Sequence, residues 1–266
     1  MHPWIFRINL YGFGEPFLFD EVFDMIRYAS DHNVGVAVTS NFNQIDEGKI
    51  DRIIDSGLEQ LAISIDGVDQ SSYEKYQVGG QFDKVMTNIR LLQTRKRERN
   101  VDHPLVDWQF LIMKHNIGMQ EEATQMAREL GIGIRFSRIG VDLTDEKECS
   151  EWLPDEATRK ELNFEDQILK NMEQIPLCSW LYRMAFINWD LGVSPCCNYY
   201  TGDKSHDFGS LRERRFADIW NNRNYVAARR VFMKGQSALL ADSNNICSIC
   251  VQKRIHLKQR LTTTTV

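Results

Sequence analysis

Trp4-Ile5-Phe6-Arg7-Ile8-Asn9-Leu10-Tyr11-Gly12-Phe13-Gly14-Glu15-Pro16 opens as a β-rich run and passes directly into a glycine-rich turn. Working outward from it, Phe19, Val22, Phe23, Ile26 and Ala29 recur at helical spacing, and Val34-Gly35-Val36-Ala37-Val38 reads as a short buried strand ending in Thr39-Ser40-Asn41. Ile50, Ile53, Ile54 and Leu58 mark a second helix. Leu61-Ala62-Ile63-Ser64-Ile65-Asp66 is a third strand, followed by a helix from Phe82 to Leu92. Val106 to Met113, a helix from Glu121 to Leu130, and Gly133-Ile134-Arg135-Phe136 continue the alternation. Near-continuous apolar strands alternating with helices predict an α/β fold, a parallel sheet covered by helices.

Each strand ends in polar or glycine-rich residues: Gly-Phe-Gly-Glu, Thr-Ser-Asn, Ser-Ile-Asp-Gly and Lys-His-Asn. A single polar strand end does no more than start a loop. Repeated along the chain, these ends point to a ligand face, because parallel α/β folds bind ligands where strand carboxyl ends and loop amides converge.

From Gly140 to Pro154 the pattern lapses into a polar, acidic connector, and a helix is predicted from Glu156 to Met172. Beyond it lie five of the six cysteines: Cys178, Cys196 and Cys197 after Pro195, and Cys247-Ser248-Ile249-Cys250. A C-x-x-C pair lets two thiolates reach one metal from a single turn, and distant cysteines complete such a site when the chain folds back. A metal or cluster is the leading reading, ahead of a redox dithiol or scattered core thiols. Cys149, standing apart, reads as a core thiol. Met184 to Trp189 and Gly192-Val193-Ser194 read as a hairpin presenting Pro195-Cys196. Phe216 to Trp220 and Tyr225 to Met233 read as short helices, and the tail 261–266 is low-complexity.

Composition is that of an ordinary globular protein, with 42% hydrophobic and 26% charged residues. A net charge of -5 argues against nucleic acid as the main partner, and no apolar run approaches a membrane span. Clustered cysteines without a secretory signal fit a reducing, cytoplasmic setting and metal ligation rather than disulfides.

Taken together, Gly12-Phe13-Gly14-Glu15-Pro16, Ser64-Ile65-Asp66-Gly67, Asn188-Trp189-Asp190, Val193-Ser194-Pro195-Cys196-Cys197, Asp218-Ile219-Trp220-Asn221 and the closing Cys-x-x-Cys resemble the radical SAM enzymes, in the branch with a SPASM or twitch auxiliary-cluster domain. The resemblance implies a partial parallel (β/α) barrel at 1–140, a connector and helix at 141–175, and a cysteine-rich twitch/SPASM-like domain at 176–260. It implies S-adenosylmethionine held across the strand ends and reduced by a [4Fe–4S] cluster to a 5′-deoxyadenosyl radical, which abstracts a substrate hydrogen. Gly14 and Glu15 then correspond to the motif at the methionyl amino group. Asn41 and Ser64 correspond to polar contacts to the methionyl or ribose part, with Asp66 nearby, and Gln109 faces ribose or substrate. Cys178, Cys196, Cys247 and Cys250 correspond to the ligands of an auxiliary [4Fe–4S] cluster, with Cys197 as the rival to Cys196. Four protein ligands leave no open iron, which favours electron transfer or structural support.

The family's Cys-x-x-x-Cys-x-x-Cys loop is not in this sequence, and no cysteine precedes Cys149. The expectation is therefore a barrel lacking its first strand and core cluster ligands, either a truncated piece or a degenerate relative, with the Trp4–Leu10 strand edge exposed. Gln77 stands where relatives often carry arginine. The implied activity is radical oxidation or modification of a sugar-like or peptide substrate, served by an electron donor such as flavodoxin or ferredoxin. The alternative is a non-catalytic cluster- or metal-binding scaffold. No residue is assigned a catalytic role; Cys149, Tyr182 and His206 are chemically able and nothing more.

Overall fold

A computed structural model describes residues 5–141, 145–161, 178–197, 204–232 and 246–251. The chain divides into two compact units, Met1–Asp155 and Glu156–Val266.

The first unit is a five-stranded sheet of β1 (Arg7–Leu10), β2 (Gly35–Ser40), β3 (Gln60–Ser64), β4 (Leu105–Ile112) and β5 (Gly133–Arg138), side by side in chain order. Every pairing is parallel. Each crossover carries a helix: α1 (Val22–Asp31), α2 (Glu47–Asp55), the short α3 (Gln70–Tyr73) with the long α4 (Phe82–Glu98), and α5 (Gln120–Leu130). Strands that add in sequence order through helical crossovers build part of a (β/α) barrel rather than a doubly wound sheet. β1 is an edge strand, hydrogen-bonded only to β2 among the described residues, and Phe6 beside it is 78% exposed.

The strands are not apolar on both sides, as their sequence suggested. Register puts Ile8, Val36, Val38, Leu61, Ile63, Trp108 and Phe110 on one face, where they join the side chains of α1, α2, α4 and α5 in a single core. The opposite face carries Arg7, Asn9, Thr39, Gln60, Ser64, Asp107, Gln109 and Arg135. Small residues, Ala37 and Ala62, sit between them and made the runs look uniformly apolar. On this face Arg7 Nη2 donates to Gln60 Oε1 at 2.6 Å, and Gln60 Nε2 donates to Asp107 Oδ2 at 2.7 Å. Arg135 Nε lies 3.8 Å from the same carboxylate oxygen. The chain of contacts ties β1, β3, β4 and β5 together toward their N-terminal ends.

The stretch expected to be a connector contains a helix, α6 (Glu146–Trp152), and packs with the first unit. Asp145 explains it: its carboxylate accepts from the Lys147 and Glu148 amides, capping a segment whose acidic composition alone reads as loop. Lys114 N, beyond the end of β4, donates to Trp152 O at 2.8 Å.

The second unit begins with α7 (Glu156–Glu161); the rest of the helix expected to reach Met172 lies outside the described residues, as does the tail 261–266. Beyond them come α8 (Trp180–Arg183), the antiparallel strands β6 (Phe186–Ile187), β7 (Gly192–Ser194) and β8 (Gly209–Ser210), α9 (Phe216–Trp220) and α10 (Arg223–Val231). Residues 246–251 are helical. Leu181, Val193, Phe208, Ile219, Tyr225 and Ala228 form the core with Ile246 and Cys247.

Candidate functional site

In the first unit, the loops at the strand carboxyl ends are joined by partly buried polar contacts. Glu15 Oε1 accepts from Ser40 Oγ at 2.7 Å and from Phe17 N at 3.2 Å, and Oε2 accepts from Asn41 N at 2.7 Å. A carboxylate has about four acceptor positions, so three are already taken. Glu15 thus works first as a clamp between the ends of β1 and β2. Gly14 beside it has φ +91°, and no heavy atom lies within 4 Å of the position a Cβ would occupy. That leaves open space against the backbone, at a residue whose conformation suits glycine.

Asn41 folds over Asn43, accepting its amide at 2.9 Å, and Asn43 Nδ2 donates to the Tyr73 hydroxyl at 2.7 Å. Between them Phe42 is fully buried at φ +60°, and Asn88 Nδ2 on α4 donates to the Phe42 and Ile45 carbonyls. A bulky residue in the left-handed region is held there only when its surroundings over-determine it. Ser64 and Gln109 are register partners on the polar face, both half-buried.

Asp66 behaves differently from its neighbours. It is completely buried; Oδ1 accepts from Leu111 N at 2.8 Å and Oδ2 from Gln77 Nε2 at 3.0 Å. Its carboxyl is pushed up from the usual range, chiefly by burial, against the opposing effect of those two bonds. Asp66 therefore acts through the loops that it ties. Gln77, at the position where an arginine was expected, is its partner. Gly67 follows because a Cβ there would lie 2.4 Å from Tyr73 N. Ser40, Asn43, Tyr73 and Asn88 were not singled out from the sequence; the Asn-x-Asn spacing at 41 and 43 was the one local signal.

In the second unit, Cys247 is buried and its thiol is pushed well up, first by burial and then by Cys196, Cys250 and Cys178 in turn. The same two thiols, Cys247 and Cys196, act on buried Tyr225. Cys247 and Cys250 stand at i and i+3 on one helical turn, so they share a face. Cys196 arrives from the β6–β7 hairpin, whose base is a polar knot. Ser194 Oγ donates to Asp207 Oδ1 at 2.6 Å, and Asn188 Nδ2 donates to the same oxygen at 2.8 Å and to Ser194 Oγ at 3.1 Å. Gly192 is required there, since a Cβ would fall 2.0 Å from Asp207 Oδ2. No disulfide links any of the six cysteines. Among the described residues no three His, Cys, Asp or Glu side chains are set to hold a single metal ion. Cys149 lies on α6 in the first unit, Tyr182 is 49% exposed beneath Arg229, and His206 ends a short 3-10 turn.

Residues 178–251, the span that contains all these sulfurs but Cys149, match the iron–sulfur cluster-binding domain family SPASM. Residues 178–251 therefore form a SPASM-type domain, and the chain as a whole is similar to radical SAM enzymes. It is 24% identical over 119 residues to an AdoMet-dependent heme synthase of Methanosarcina barkeri, covering 44% of this chain and 32% of that one. It is 24% identical over 147 residues to the mycofactocin maturase MftC of Mycobacterium ulcerans, covering 53% and 38%. The chain thus spans about a third of the length of these curated relatives. Among solved structures, Streptococcus suis SuiB bound to S-adenosylmethionine superposes with a TM-score of 0.63 at 12% identity, over 90% of this chain and 59% of that one. The complex of SuiB with its precursor peptide SuiA gives 0.61 at 13%, over 82% and 54%. At such identities the structural likeness speaks for the fold: a partial (β/α) barrel with a SPASM domain. No helix among the described residues is long and apolar enough to cross a membrane.

Proposed function

We propose that Cys178, Cys196, Cys247 and Cys250 hold an auxiliary [4Fe–4S] cluster, and that the strand ends of the first unit bind S-adenosylmethionine for radical modification of a peptide or compact small molecule. The carrying observation is that the SPASM match spans Cys247 together with the three thiols that act on it, Cys196, Cys250 and Cys178. The donor chemistry suits the group: Cys247 and Cys178 lie in the apolar core of this unit, Cys250 is one helical turn from Cys247, and a four-iron cluster needs its thiolates farther apart than a single metal ion does. When bound, such a cluster supplies one-electron transfer. The chain's own part is to hold the sulfurs: a helical turn carries two, and the Asn188–Ser194–Asp207 knot steadies the hairpin that carries Cys196.

At the strand ends, the bare backbone at Gly14, the Asn41 side chain, the Ser64 hydroxyl and the Gln109 amide are the groups available to a polar cofactor. Glu15 positions two of these by clamping β1 to β2. SuiB with S-adenosylmethionine supports the cofactor, and its complex with a precursor peptide supports the peptide class of substrate. A reducing, cytoplasmic setting belongs to the same proposal, supported by the clustering of five of the six cysteines in the SPASM-matched span. A non-catalytic scaffold is the second reading, favoured by Gln77 being bonded to Asp66 rather than offering a cation to a ligand.

Anaerobic reconstitution tests the proposal. The chain should take up iron and sulfide as one cluster, and Cys196→Ala should abolish that uptake while Cys197→Ala retains it. Iron bound equally by the Cys196→Ala variant, or zinc in place of a cluster, overturns the assignment. Equilibrium binding of S-adenosylmethionine, weakened by Gly14→Val, tests the strand-end site separately.

A further inference from the structure

The surface of the SPASM domain differs in charge from the rest of the chain. Residues 204–232 carry seven lysine and arginine side chains against three acids, a local +4 within a protein of net -5. Some of these cations are occupied: Lys204 pairs with Asp190, and Arg215 with Asp218. Arg223 and Arg230 are exposed on α10, seven residues apart and so on one helix face, and neither has an acidic partner among the described residues. Val226 lies between them on that face and is 38% exposed. Arg183, at the end of α8, is also exposed, and Arg229 Nε donates to Leu181 O, fastening α10 to α8.

Behind this face lies a short aromatic path to the cysteines. Arg229 stacks over Tyr182, Trp220 and Tyr225, at 5.6, 4.8 and 5.1 Å from the ring centroids. Trp220 is half-buried and packs on Tyr225 at 4.8 Å. Tyr225 is fully buried and packs with Trp220, Cys178 and Cys247 in the single core of this unit. Trp220 and Tyr225 therefore connect the cationic surface with the sulfurs.

We infer that the arginine face of α8 and α10 is where an acidic one-electron carrier protein docks to exchange an electron with the cluster, by way of the Trp220–Tyr225 contact. The inference rests on the proposed cluster. In the reducing direction the carrier loses one electron and the cluster gains it, with no proton or group transferred. Charge complementarity selects an acidic partner, since like charges would be repelled and surface arginines steer association. The aromatic path favours a redox carrier over an acidic peptide, which would have no use for a route to the sulfurs.

The test uses the full chain, reconstituted with iron and sulfide, and reduced flavodoxin as the probe. In Arg223→Glu/Arg230→Glu, reduction of the cluster by flavodoxin at low salt should slow about tenfold or more, as expected for lost electrostatic steering, and its salt dependence should flatten. Reduction by dithionite, which needs no docking, and the iron content should stay unchanged. Lys84→Glu/Arg90→Glu on α4, with the same change in net charge, should react as the parent does. An unchanged flavodoxin rate in the α10 variant, an equal loss in the α4 variant, or binding of poly-glutamate but not of flavodoxin overturns the inference. If the parent chain holds no iron, the cluster reading fails by itself. The docking face is then read from salt-sensitive titration of flavodoxin onto the chain, with the α10 variant expected to lose that binding and an unchanged affinity counting against the face.

Discussion

At the scale of single residues, the first unit uses its carboxylates for two different ends. Glu15 is half-buried and satisfied by three donors; Asp66 is fully buried with two. The difference has a pH consequence. Burial raises the folded-state pKa of Asp66 above its unfolded value, so folding takes up a proton in the window between the two. The stabilising contribution is fully present below the unfolded pKa of about 3.9 and is lost as pH rises through the folded value. Asp66→Asn has no such titration. Its stability relative to the parent should increase as pH is raised through that window, as measured by urea unfolding at a series of pH values. Parallel stability curves for the two proteins would refute this account. The sequence marked Asp66 through its place after a strand, but whether a polar residue faces a ligand or the interior depends on segments distant in the chain, here the Gln77 loop and strand β4 at Leu111.

At the scale of elements, the β6–β7 hairpin was legible because an apolar pair, a glycine-containing turn and a second short apolar run stand in register. What holds it was not legible. Asp207 is 13 residues beyond Ser194 and 19 beyond Asn188, and it accepts from both. Removing the carboxylate leaves two buried donors without their acceptor, which costs about 1–3 kcal/mol for each unsatisfied group. Asp207→Ala should consequently lower the thermal unfolding midpoint and make bound iron dissociate faster under chelator. Asp207→Asn, which keeps an acceptor oxygen, should recover part of both. Equal iron retention in Asp207→Ala and the parent would show that the knot does not position Cys196. Helix α6 teaches the converse: its acidic sequence reads as loop, and the Asp145 cap with packing against Lys114 makes it a helix.

At the scale of the whole molecule, five of the six cysteines fall in the second unit and only Cys149 in the first. Reductive cleavage of S-adenosylmethionine requires an iron with a vacant position, and the proposed C-terminal site fills its positions with four cysteines. Within these 266 residues no cysteine precedes Cys149. We expect the 266-residue chain, reconstituted and supplied with dithionite, to bind one cluster and to form no 5′-deoxyadenosine above background. Quantifying 5′-deoxyadenosine by chromatography checks this, and its formation would mean that the cluster site has an open iron after all.

The sequence alone determined the parallel character of the sheet, since apolar strand runs alternating with amphipathic helices leave few other ways to bury both, while the strand order came from the structure. It also determined the cysteine spacing on which the SPASM assignment rests, because a C-x-x-C turn is a local feature. Only the tertiary structure decided that the sheet has a polar face crossed by Arg7, Gln60, Asp107 and Arg135, that Asp66 points inward to Gln77, and that Asp207 ties Asn188 to Ser194. Each of these depends on which distant strand or loop comes to lie beside a residue, and local propensity and periodicity contain no such information.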